Sequence, residues 1–572
     1  MNEFHGHVVT GDLDIIRNDA LRTIMKKGAK YRDSADISLD RLQQSIINDI
    51  KKFKSIWTER ERSKAEEEDK ESWDDKLDNW ESTVCRIVKN KIHKLVSEGS
   101  IQLNGSSILQ REDVRNEIRR LHYLYIITSV DKAANNFSVR CKKFYYKYGC
   151  QELGILNGGN GNETYQKVNK TLENVVNDLK RELSRKKLPS NFVGLPRMYW
   201  IVKFHKNPVK FRPISGSKNK VLSGLEKILG CALKMLTKHF INYCGRTESL
   251  TGFKHYFAIK NSLDTIKILN TLKSKATSFD SYDFSDLYTK FDHSVIEERL
   301  CWLVNTLFKH NGKEFINVWN NLKRCEYSKD ALNQVQGWSF KKDDIKSAIK
   351  FLLSNTFISF GNYVLRQIKG VPMGAIPSPD LASLSLSVDE YRFVSEKLKV
   401  KAFAILRKMN QVCRYLDDIG VPNFTDFDQY LADIYRGNLT ILKSNDNSVL
   451  NVAYLDLSIN VLEQDFVMKV YCKTDEYTFE VISLPFLESN VDEGMCYSVY
   501  FSQILRFIRI CSRKDDFIER SKLLSDMLMA RGYLKGRLST KLNQVLSKYQ
   551  QDWAKFGSGL LPHELTRRIL YN

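Results

Sequence analysis

The last part of the chain has apolar residues spaced three and four positions apart, which is the spacing of one helix face. Three such segments follow one another, and Gly532 and Gly536 separate the second from the third. We therefore expect a basic bundle of three helices within residues 481–572. Its apolar positions are Phe501, Ile504, Leu505 and Ile508, then Leu523, Leu524, Met527 and Leu528, then Leu538, Leu542, Val545 and Leu546.

A segment in the middle of the chain has the two-residue period that is typical of a strand. Over residues 279–284, Tyr282 points to one face, the expected core, while Asp283 points to the other. Further along, three prolines and two glycines in residues 367–384 predict a rigid loop whose backbone can approach a ligand closely. The loop leads into a helix, which is predicted by Leu381, Leu384, Leu386 and Val388.

The charge of the chain indicates a polyanionic partner. The 572 residues suffice for three or four domains, and 89 basic against 68 acidic residues give a net charge of +21. Residues 140–220 contain 18 Lys or Arg and five Asp or Glu, so 18 − 5 = +13 of this excess lies there. Aromatic residues are interleaved with these cations. Because cations follow a phosphate backbone and aromatic rings stack on bases, a nucleic-acid surface is indicated; a solvated surface over an aromatic core is the alternative.

The beginning of the chain is predicted to be a helical extension over residues 1–120, which we consider for RNA binding. Within it, residues 59–71 are charged throughout and predict an exposed helix or a linker. The longest apolar stretch of the chain, near residues 121–130, has about half the ~20 residues that a membrane helix needs, so no membrane partner is expected. Eleven cysteines without a Cys-x-x-Cys pair indicate neither a disulfide framework nor a structural zinc site.

The pair Asp417-Asp418 carries the clearest chemical signal. The chain has four Asp-Asp pairs, but only this one lies between strand-forming residues, and Gly420 marks a tight return after it. Two carboxylates at the tip of an apolar hairpin repel each other unless cations lie between them, which favours a divalent-metal site. A third carboxylate would complete a two-metal site for phosphoryl transfer. Spacing alone does not choose among four candidates: Asp280, Asp283, Asp286 and Asp292.

Taken in chain order, these segments resemble the signature of reverse transcriptases, which have an α+β right-hand fold of fingers, palm and thumb. The resemblance covers roughly residues 121–550. Five motifs agree in order and spacing, namely residues 206–214, 283–289, 367–384, 415–418 and 454–459. The implied organisation is fingers over 121–270, a palm over 271–480 with an insertion near 305–360, and a helical thumb over 481–572.

Within that superfamily the chain is most similar to the reverse transcriptases of Penelope-like elements, which are relatives of telomerase. Many such elements carry an endonuclease with Gly-Ile-Tyr and Tyr-Ile-Gly signatures. Neither occurs here, so we expect a member that lacks this nuclease and extends an existing DNA 3′ end. The similarity rests on DKAANN at 131–136, KFHKNP at 203–208, FRPI at 211–214, YLDLSI at 454–459 and RICS at 509–512.

The resemblance implies a catalytic centre and a nucleotide site. Asp283, Asp417 and Asp418 would hold two Mg²⁺ ions, which Mn²⁺ could replace. Tyr288, five positions after the first of them, would be the steric gate that favours deoxynucleotides. Basic residues of the fingers and a loop that aligns the template base would complete the nucleotide site: Lys206, Lys210, Arg212, Gln367, Gly370, Pro372 and Gly374.

Two further assignments follow from rough position in the same family pattern. The strand pair with Tyr454, Tyr471 and Lys473 resembles the primer grip, and Lys443 is a candidate proton donor to the leaving pyrophosphate. The expected activity is RNA-directed DNA synthesis of a retroelement, with an RNA template, a DNA primer and dNTPs as partners. We expect an intracellular, nuclear protein, although no localisation signal is evident.

Three alternatives stay open. The chain could be a catalytically silent, host-retained nucleic-acid-binding remnant, but the three aspartates and Tyr288 are all present. It could synthesise RNA, which the bulky Tyr288 disfavours. It could be a telomerase-like enzyme, but 120 N-terminal residues leave little room for the accessory domains of typical telomerases.

Overall fold

The computed structural model describes residues 2–4, 7–33, 39–62, 70–98, 107–189, 194–206, 208–216, 220–333, 335–437, 439–445, 451–557 and 561–571. The strands are β1 (Asn2–Phe4), β2 (His7–Thr10), β3 (Tyr125–Val130), β4 (Ala133–Cys141), β5 (Tyr165–Lys167), β6 (Met198–Lys203), β7 (Lys210–Ser215), β8 (Phe279–Ser285), β9 (Phe315–Trp319), β10 (Cys325–Ser328), β11 (Gly337–Phe340), β12 (Phe357–Phe360), β13 (Tyr363–Gln367), β14 (Cys413–Tyr415), β15 (Asp418–Pro422), β16 (Thr440–Lys443), β17 (Val452–Tyr454), β18 (Leu457–Leu462) and β19 (Asp465–Val470).

The helices are α1 (Asp19–Lys26), α2 (Leu39–Arg62), α3 (Lys70–Ser97), α4 (Glu112–Leu124), α5 (Lys142–Glu152), α6 (Leu172–Arg185), α7 (Ser223–Thr251), α8 (Ser262–Thr271), α9 (Leu287–Lys290), α10 (His293–Asn311), α11 (Lys342–Ser354), α12 (Ser378–Lys399), α13 (Phe403–Met409), α14 (Leu431–Ile434), α15 (Glu493–Ile510), α16 (Lys514–Ala530), α17 (Lys535–Lys548), α18 (Gln550–Trp553) and α19 (Pro562–Leu570). Among the helices in these ranges, none has both the length and the apolarity to cross a lipid bilayer.

Local signals set several helix ends. The side chain of Thr171 accepts a hydrogen bond from the backbone of Asn174 at the start of α6, and Asp492 does the same for Met495 at the start of α15. Such caps satisfy backbone N–H groups that have no partner within the helix. At the other end, α7 and α10 stop at Gly252 and Gly312, whose φ angles of 76° and 61° are in the left-handed region.

A six-stranded sheet in the order β1-β2-β4-β3-β6-β7 occupies the N-terminal third of the chain. Its outer strands correct one prediction, because the segment over residues 1–120 is not wholly helical: β2 pairs with β4 through Val9 and Arg140. Residues 7–10 include two valines and a threonine, which favour a strand, and Val9 is buried against the sheet core. In the charged segment 59–71, residues 63–69 and the side chains of the whole segment lie outside the part of the chain that the structure describes.

The central sheet has the order β14-β15-β8-β16, and all its neighbouring strands are antiparallel. The strand predicted over residues 279–284 is β8, and the hairpin predicted over 413–421 is β14 and β15. The turn of this hairpin is Leu416-Asp417, however, and Gly420, which was expected to mark the return, lies within β15 opposite Cys413. Tyr282 and Phe284 of β8 are buried in the largest core, which also contains residues of α7, α10 and α12. Phe279, on the opposite face, packs with Tyr454 of the three-stranded sheet β17-β18-β19. The central sheet is therefore covered on both faces below its tip.

The three C-terminal helices predicted from the apolar spacing are α15, α16 and α17. They share one core with α19. The segment near 305–360, predicted as an insertion, contains the end of α10, a three-stranded sheet in the order β10-β9-β11, helix α11 and strand β12. Its buried residues, such as Ile316 and Ile349, belong to the largest core.

A connecting segment, residues 473–491, leads from the three-stranded sheet to α15 and touches distant parts of the chain. The Tyr477 hydroxyl donates to the carbonyl oxygen of Asp131, and the backbone N–H of Ile482 donates to Asn136 Oδ1 at 2.8 Å. Arg531 of the C-terminal helices donates to the carbonyl oxygen of Leu484 at 2.9 Å. The segment therefore joins the six-stranded sheet to the C-terminal helices.

An aromatic cluster joins α5 to the six-stranded sheet, and it leaves no room for a side chain at Gly149. A Cβ atom there would lie 2.3 Å from Cζ of Phe360 and 2.9 Å from Cζ3 of Trp200, and both rings are buried. We expect Gly149→Ala to lower the free energy of unfolding by about 1–3 kcal/mol, because the helix gain of alanine is smaller than the overpacking.

The matched control is Gly245→Ala in α7, where no atom lies within 4 Å of the new Cβ. That variant should be neutral or more stable by up to about 1 kcal/mol. Thermal unfolding followed by circular dichroism measures both. Equal melting temperatures for the two variants would contradict the packing account.

Candidate active site

Three carboxylates meet at the tip of the central sheet. Asp418 of β15 lies directly opposite Asp283 of β8 in the antiparallel register, so both side chains are on the same face, with Cβ atoms about 5 Å apart. Asp417 lies in the two-residue turn between β14 and β15. Its carbonyl oxygen accepts a hydrogen bond from the backbone N–H of Phe284 at 3.2 Å, which ties the turn to β8.

The other aspartates near β8 are placed elsewhere. Asp280 is buried on the opposite face of β8, Asp286 lies 3.8 Å from Lys290, and Asp292 precedes α10. Register therefore brings Asp283, alone among the four candidates, to the Asp417-Asp418 turn.

A buried ion pair supports the turn from below. Arg414 of β14 and Glu390 of α12 are both fully buried and hydrogen-bonded to each other. Burial opposes the charge of Arg414, but the Glu390 carboxylate outweighs that effect and raises the pKa of the guanidinium. The same guanidinium donates to the carbonyl oxygen of Leu416 at 2.9 Å. Since Leu416 has a positive φ of 53°, this bond holds the strained residue that begins the turn.

Serines on α12 complete the surroundings of Arg414. Ser387 accepts from the guanidinium at 2.9 Å, and the Tyr435 hydroxyl donates to Glu390 at 2.9 Å. Removal of one partner from such a pair leaves an uncompensated buried charge, which costs about 3–5 kcal/mol. The network therefore fixes the turn through groups that lie beneath it.

Tyr454 lies under the other side of the hairpin. It is 1% exposed, and its hydroxyl reaches the carbonyl oxygens of Cys413 and Asp418, both at 3.4 Å. A Cβ atom on Gly420 would lie 3.0 Å from the Tyr454 ring, so this glycine permits the close approach. Tyr454 thus supports the hairpin and is too buried to contact a primer.

The three carboxylates are held together at an electrostatic cost. Burial, followed by the charges of Asp417 and Asp283, raises the pKa of Asp418 to about 7. Burial and the charge of Asp417 also raise the pKa of Asp283. Lysines from three parts of the chain oppose these shifts. Lys473, Lys206 and Lys203 lower the pKa of Asp283, and Lys132 and Lys473 lower that of Asp418.

These carboxylates suit a divalent cation by their chemistry, since oxygen ligands that repel one another gain most from a cation between them. Within the described part of the chain, no three His, Cys, Asp or Glu side chains converge tightly enough to hold a metal ion alone. Mg²⁺ in phosphoryl-transfer sites is commonly held by one or two carboxylates together with substrate phosphates. The residues present fit that incomplete kind of site.

Tyr288 lies beside the carboxylates, in the short helix α9. Burial, followed by the charge of Asp417, raises the pKa of its phenol to about 12. Its backbone is fixed by the loop after β13, because the N–H of Val371 donates to the Tyr288 carbonyl at 2.9 Å. Gly370 has a φ of 74°, and a Cβ atom there would lie 2.2 Å from the same oxygen. Only glycine allows this contact.

The loop over residues 367–374 joins three elements. Gln367 is buried, and its side-chain amide donates to the carbonyl oxygens of Lys369 at 2.9 Å and Tyr288 at 3.4 Å. Gly374, with a φ of 111°, approaches the backbone of Ser215 in β7 so closely that a Cβ atom would lie 2.3 Å from its oxygen. Pro372 accepts from the Ser378 hydroxyl at 2.9 Å. The loop therefore shapes the site through its backbone, and Gln367 is occupied by that backbone.

The structure does not bring every predicted residue to the carboxylates. Lys443 lies on the same face of the sheet as Tyr282, away from Asp283, and its ammonium is 2.8 Å from buried Asp280. It is therefore not in place to donate a proton at the catalytic face. Tyr471 bonds to Glu476.

Of the cations predicted for the fingers, too, some lie near the carboxylates and others do not. Arg212 is 3.3 Å from buried Asp131, and Lys210 lies at the start of β7, opposite Lys203. Lys206, in the turn after β6, acts on Asp283 as described above. Lys206 and Lys473 are thus the predicted cations that the structure places at the carboxylates.

The sequence analysis assigned no role to Lys132, Lys203 or the Arg414–Glu390 pair, although both lysines lie in quoted motifs. Lys132 lies in the turn between β3 and β4 with a φ of 61°. In the sequence, its neighbour Asp131 could be recognised only as part of a family motif, which gave Lys132 no role of its own. No spacing rule connects Glu390 with Arg414, 24 positions apart. The sequence did contain one signal, since Glu390 and Arg414 each lie in an otherwise apolar segment. Charged residues in such segments are rarely buried without a partner.

The raised pKa of Asp418 predicts a pH-dependent gain in stability for Asp418→Asn in the absence of divalent ions. The unfolded carboxyl ionises near its ordinary pKa of 3.8, whereas the folded one ionises near 7. Wild-type stability due to this group is therefore complete below about pH 4 and is lost as the pH rises towards 7. Asparagine does not titrate, so the variant should melt several degrees higher than wild type at pH 8 and nearly equally at pH 4.

Thermal melts in EDTA at both pH values measure this difference. Asp330→Asn, which changes an exposed carboxylate in the loop after β10, is the control and should show no such trend. A lower melting temperature for Asp418→Asn at pH 8 would contradict the repulsion account.

Comparisons with known proteins bear on the fold. No protein-family model matches the sequence, and no curated protein matches it either. Among solved structures, telomerase from Candida albicans, in complex with a TWJ fragment of telomeric RNA, aligns over 81% of this chain and 72% of its own. The TM-score is 0.53 and the sequence identity 11%.

Two other similarities are weaker. Apo telomerase from Candida tropicalis aligns over 85% of this chain and 78% of its own, at a TM-score of 0.40 and 11% identity. The Sicinivirus 3Dpol RNA-dependent RNA polymerase aligns over 70% and 89%, at 0.32 and 9%. These two are too distant to support an argument. The Candida albicans similarity confirms the predicted α+β right-hand polymerase fold.

Proposed function

We propose that this chain is an RNA-directed DNA polymerase that extends a DNA 3′ end on an RNA template. The observation that carries the proposal is the register of the palm sheet, which sets Asp283 opposite Asp418 with Asp417 in the adjoining turn. Proteins seldom hold three carboxylates so close without using them, because their mutual repulsion opposes folding. The right-hand polymerase fold around them supports nucleotidyl transfer as that use.

In this proposal Asp283, Asp417 and Asp418 hold two Mg²⁺ ions, which would neutralise the charge that develops on the phosphates during transfer. The chain's own cations contribute to the same end. Lys206, Lys203 and Lys473 lie near enough to lower the pKa of Asp283 and would bind and orient the triphosphate. The Arg414–Glu390 pair acts as a positioning element that keeps the Asp417 turn in place.

Tyr288 would select the sugar of the incoming nucleotide. Its backbone is fixed by Val371 and Gly370, so the ring cannot easily move away from a ribose 2′-hydroxyl. The loop over residues 367–374 would then support the new base pair through its backbone, since Gln367 is bonded to the loop itself.

The Penelope-like assignment and a nuclear location are part of this proposal and rest on the sequence motifs. A telomerase-like enzyme is the second candidate, favoured by the Candida albicans fold similarity. Both activities extend a DNA 3′ end on an RNA template. Retention of a short internal RNA template through purification would favour the telomerase-like candidate.

The polymerase proposal predicts loss of primer extension in Asp417→Asn. With an RNA template, a DNA primer, dNTPs and Mg²⁺, wild type should extend the primer, and the variant should lose at least about a hundredfold in rate, as expected when a metal ligand is removed. Asp515→Asn changes another Asp-Asp pair, in the first turn of α16, and should leave extension unchanged. Template binding by all three proteins without extension by any, with either Mg²⁺ or Mn²⁺, would move the conclusion to the silent binding protein.

The gate assignment predicts that Tyr288→Ala admits ribonucleotides. The ratio of dNTP to rNTP incorporation should fall at least about tenfold, because removing the ring relieves a clash that costs 1.4 kcal/mol or more. Single-nucleotide incorporation on an RNA template gives this ratio. Tyr415→Ala, at the end of β14, is the neighbouring aromatic control and should keep the wild-type ratio. A Tyr288 variant that still rejects rNTPs would remove Tyr288 from the gate.

A further inference from the structure

A second buried ion pair lies beneath residues 372–377, the end of the loop that leads from β13 into α12. The ammonium group of Lys220 is 2.6 Å from the carboxylate of Glu226, and these side chains are 3% and 4% exposed. Glu226 lies in the first turn of α7, and Lys220 lies three positions before that helix begins. Both charges are therefore almost completely removed from water.

The Glu226 carboxylate also binds the backbone of this loop end. It accepts a hydrogen bond from the N–H of Ile376. Pro372 lines the same small cavity, of about 20 Å³, as Lys220 and Glu226. Burial raises the pKa of Glu226, whereas Lys220 and the Ile376 N–H oppose that shift, so both neighbours favour the charged form. A charge-assisted hydrogen bond therefore joins the ion pair to the loop end.

Two further contacts join the loop end to the same part of the chain. The backbone N–H of Ser215, the last residue of β7, donates to the carbonyl oxygen of Met373 at 2.9 Å. The Ile376 side chain packs on α7 at Gly230, where a Cβ atom would lie 3.1 Å from Cγ2 of the isoleucine. The loop end is thus held at Met373 by β7 and at Ile376 by α7, and the Glu226 carboxylate supplies the polar contact at Ile376.

Stability alone does not account for this pair. The cost of taking two charges out of water offsets their attraction, and apolar side chains of similar volume are often a neutral or stabilising replacement for a buried pair. Apolar side chains at positions 220 and 226 would, however, deprive the Ile376 N–H of its carboxylate acceptor. The contribution that is specific to the charges is therefore the fixed backbone of the loop end.

The loop end and the carboxylates are supported by separate groups. The Arg414–Glu390 pair holds the turn that contains Asp417, whereas the Lys220–Glu226 pair is bonded to the loop end. Under the proposed function, the backbone of this loop supports the new base pair. A change at Lys220 and Glu226 should therefore affect the binding and selection of the nucleotide, while the carboxylates keep their positions.

We propose that Lys220 and Glu226 are positioning residues, which fix the loop end and thereby set how strictly the incoming nucleotide is selected. The part of this inference that concerns selection rests on the proposed polymerase function. Two double variants separate the hydrogen bond from the charges. Lys220→Met with Glu226→Leu removes both, whereas Lys220→Met with Glu226→Gln keeps an oxygen that can accept from the Ile376 N–H. Neither variant leaves a buried charge without its partner.

Hydrogen–deuterium exchange tests the hold on the loop without requiring activity. In the leucine variant, the backbone amides of residues 373–376 should exchange at least about tenfold faster than in wild type, because a hydrogen bond to a charged acceptor is lost. The glutamine variant should exchange nearly as wild type does. Arg299→Met with Asp389→Leu removes another buried pair, 2.6 Å apart between α10 and α12, and is the matched control that should leave these amides unchanged.

Primer extension on an RNA template tests the consequence for selection. The leucine variant should raise the KM for the matched dNTP by about tenfold and lower the preference for matched over mismatched dNTP by a similar factor, with kcat within about threefold of wild type. The glutamine variant and the control pair should keep both the KM and the preference near the wild-type values. A purely structural role would instead lower kcat in all three variants together.

Three results would overturn the proposal. Equal exchange at residues 373–376 in wild type and the leucine variant would show that the pair does not hold the loop. Faster exchange with an unchanged KM and an unchanged preference would remove its role in selection. Equal effects in both double variants would assign the effect to the charges and not to the hydrogen bond. A wild type that extends no primer would overturn the polymerase function, and the exchange rates would still decide whether the pair holds the loop.

Discussion

Electrostatic repulsion among Asp283, Asp417 and Asp418 is the constraint around which the palm is built. Burial and the charge of Asp417 raise the pKa of both Asp283 and Asp418, and the fold must hold the three carboxylates together despite that cost. It does so with support from beneath, where the Arg414–Glu390 pair fixes the turn. Four lysines from three parts of the chain, at positions 132, 203, 206 and 473, partly balance the charge. The close placement of the three carboxylates and the stability of the fold are therefore opposed at this tip.

The supporting groups come from segments far apart in sequence, so the site depends on the complete fold. Arg414 needs α12, Tyr454 needs the three-stranded sheet, and Tyr288 needs the loop over residues 367–374. The connecting segment over residues 473–491 brings Lys473 to the carboxylates and Tyr477 to Asp131 of the fingers. The segment thus joins the six-stranded sheet to the C-terminal helices, and His205 contacts the same tyrosine at 3.2 Å.

The spacing of apolar residues and the family motifs were sufficient to predict the main elements around the carboxylates. The strand at 279–284, the hairpin at 413–421 and the three C-terminal helices follow from side-chain spacing, because one face of each is buried. The strands at residues 2–10 were not predicted, since so short a segment gains its stability from pairing with β4. Lys443 shows what the position of a residue in a motif does not predict. The motif placed Lys443 near the site, but the face of the sheet on which its side chain lies depends on the strand register.

Tyr454, placed at the primer by the family pattern, is instead buried under the hairpin. Arg212, placed at the triphosphate by the same pattern, lies 3.3 Å from Asp131. Contacts of this kind join residues more than 35 positions apart, and no local spacing encodes them.

The central claim is that the three carboxylates form one cation-binding centre. Electron paramagnetic resonance of Mn²⁺, titrated into the full chain with a non-hydrolysable dNTP analogue, tests it without requiring turnover. Wild type and Asp515→Asn should bind Mn²⁺ equally, while Asp283→Asn and Asp417→Asn should each weaken binding by at least about tenfold. Equal Mn²⁺ binding by all four proteins would contradict the claim.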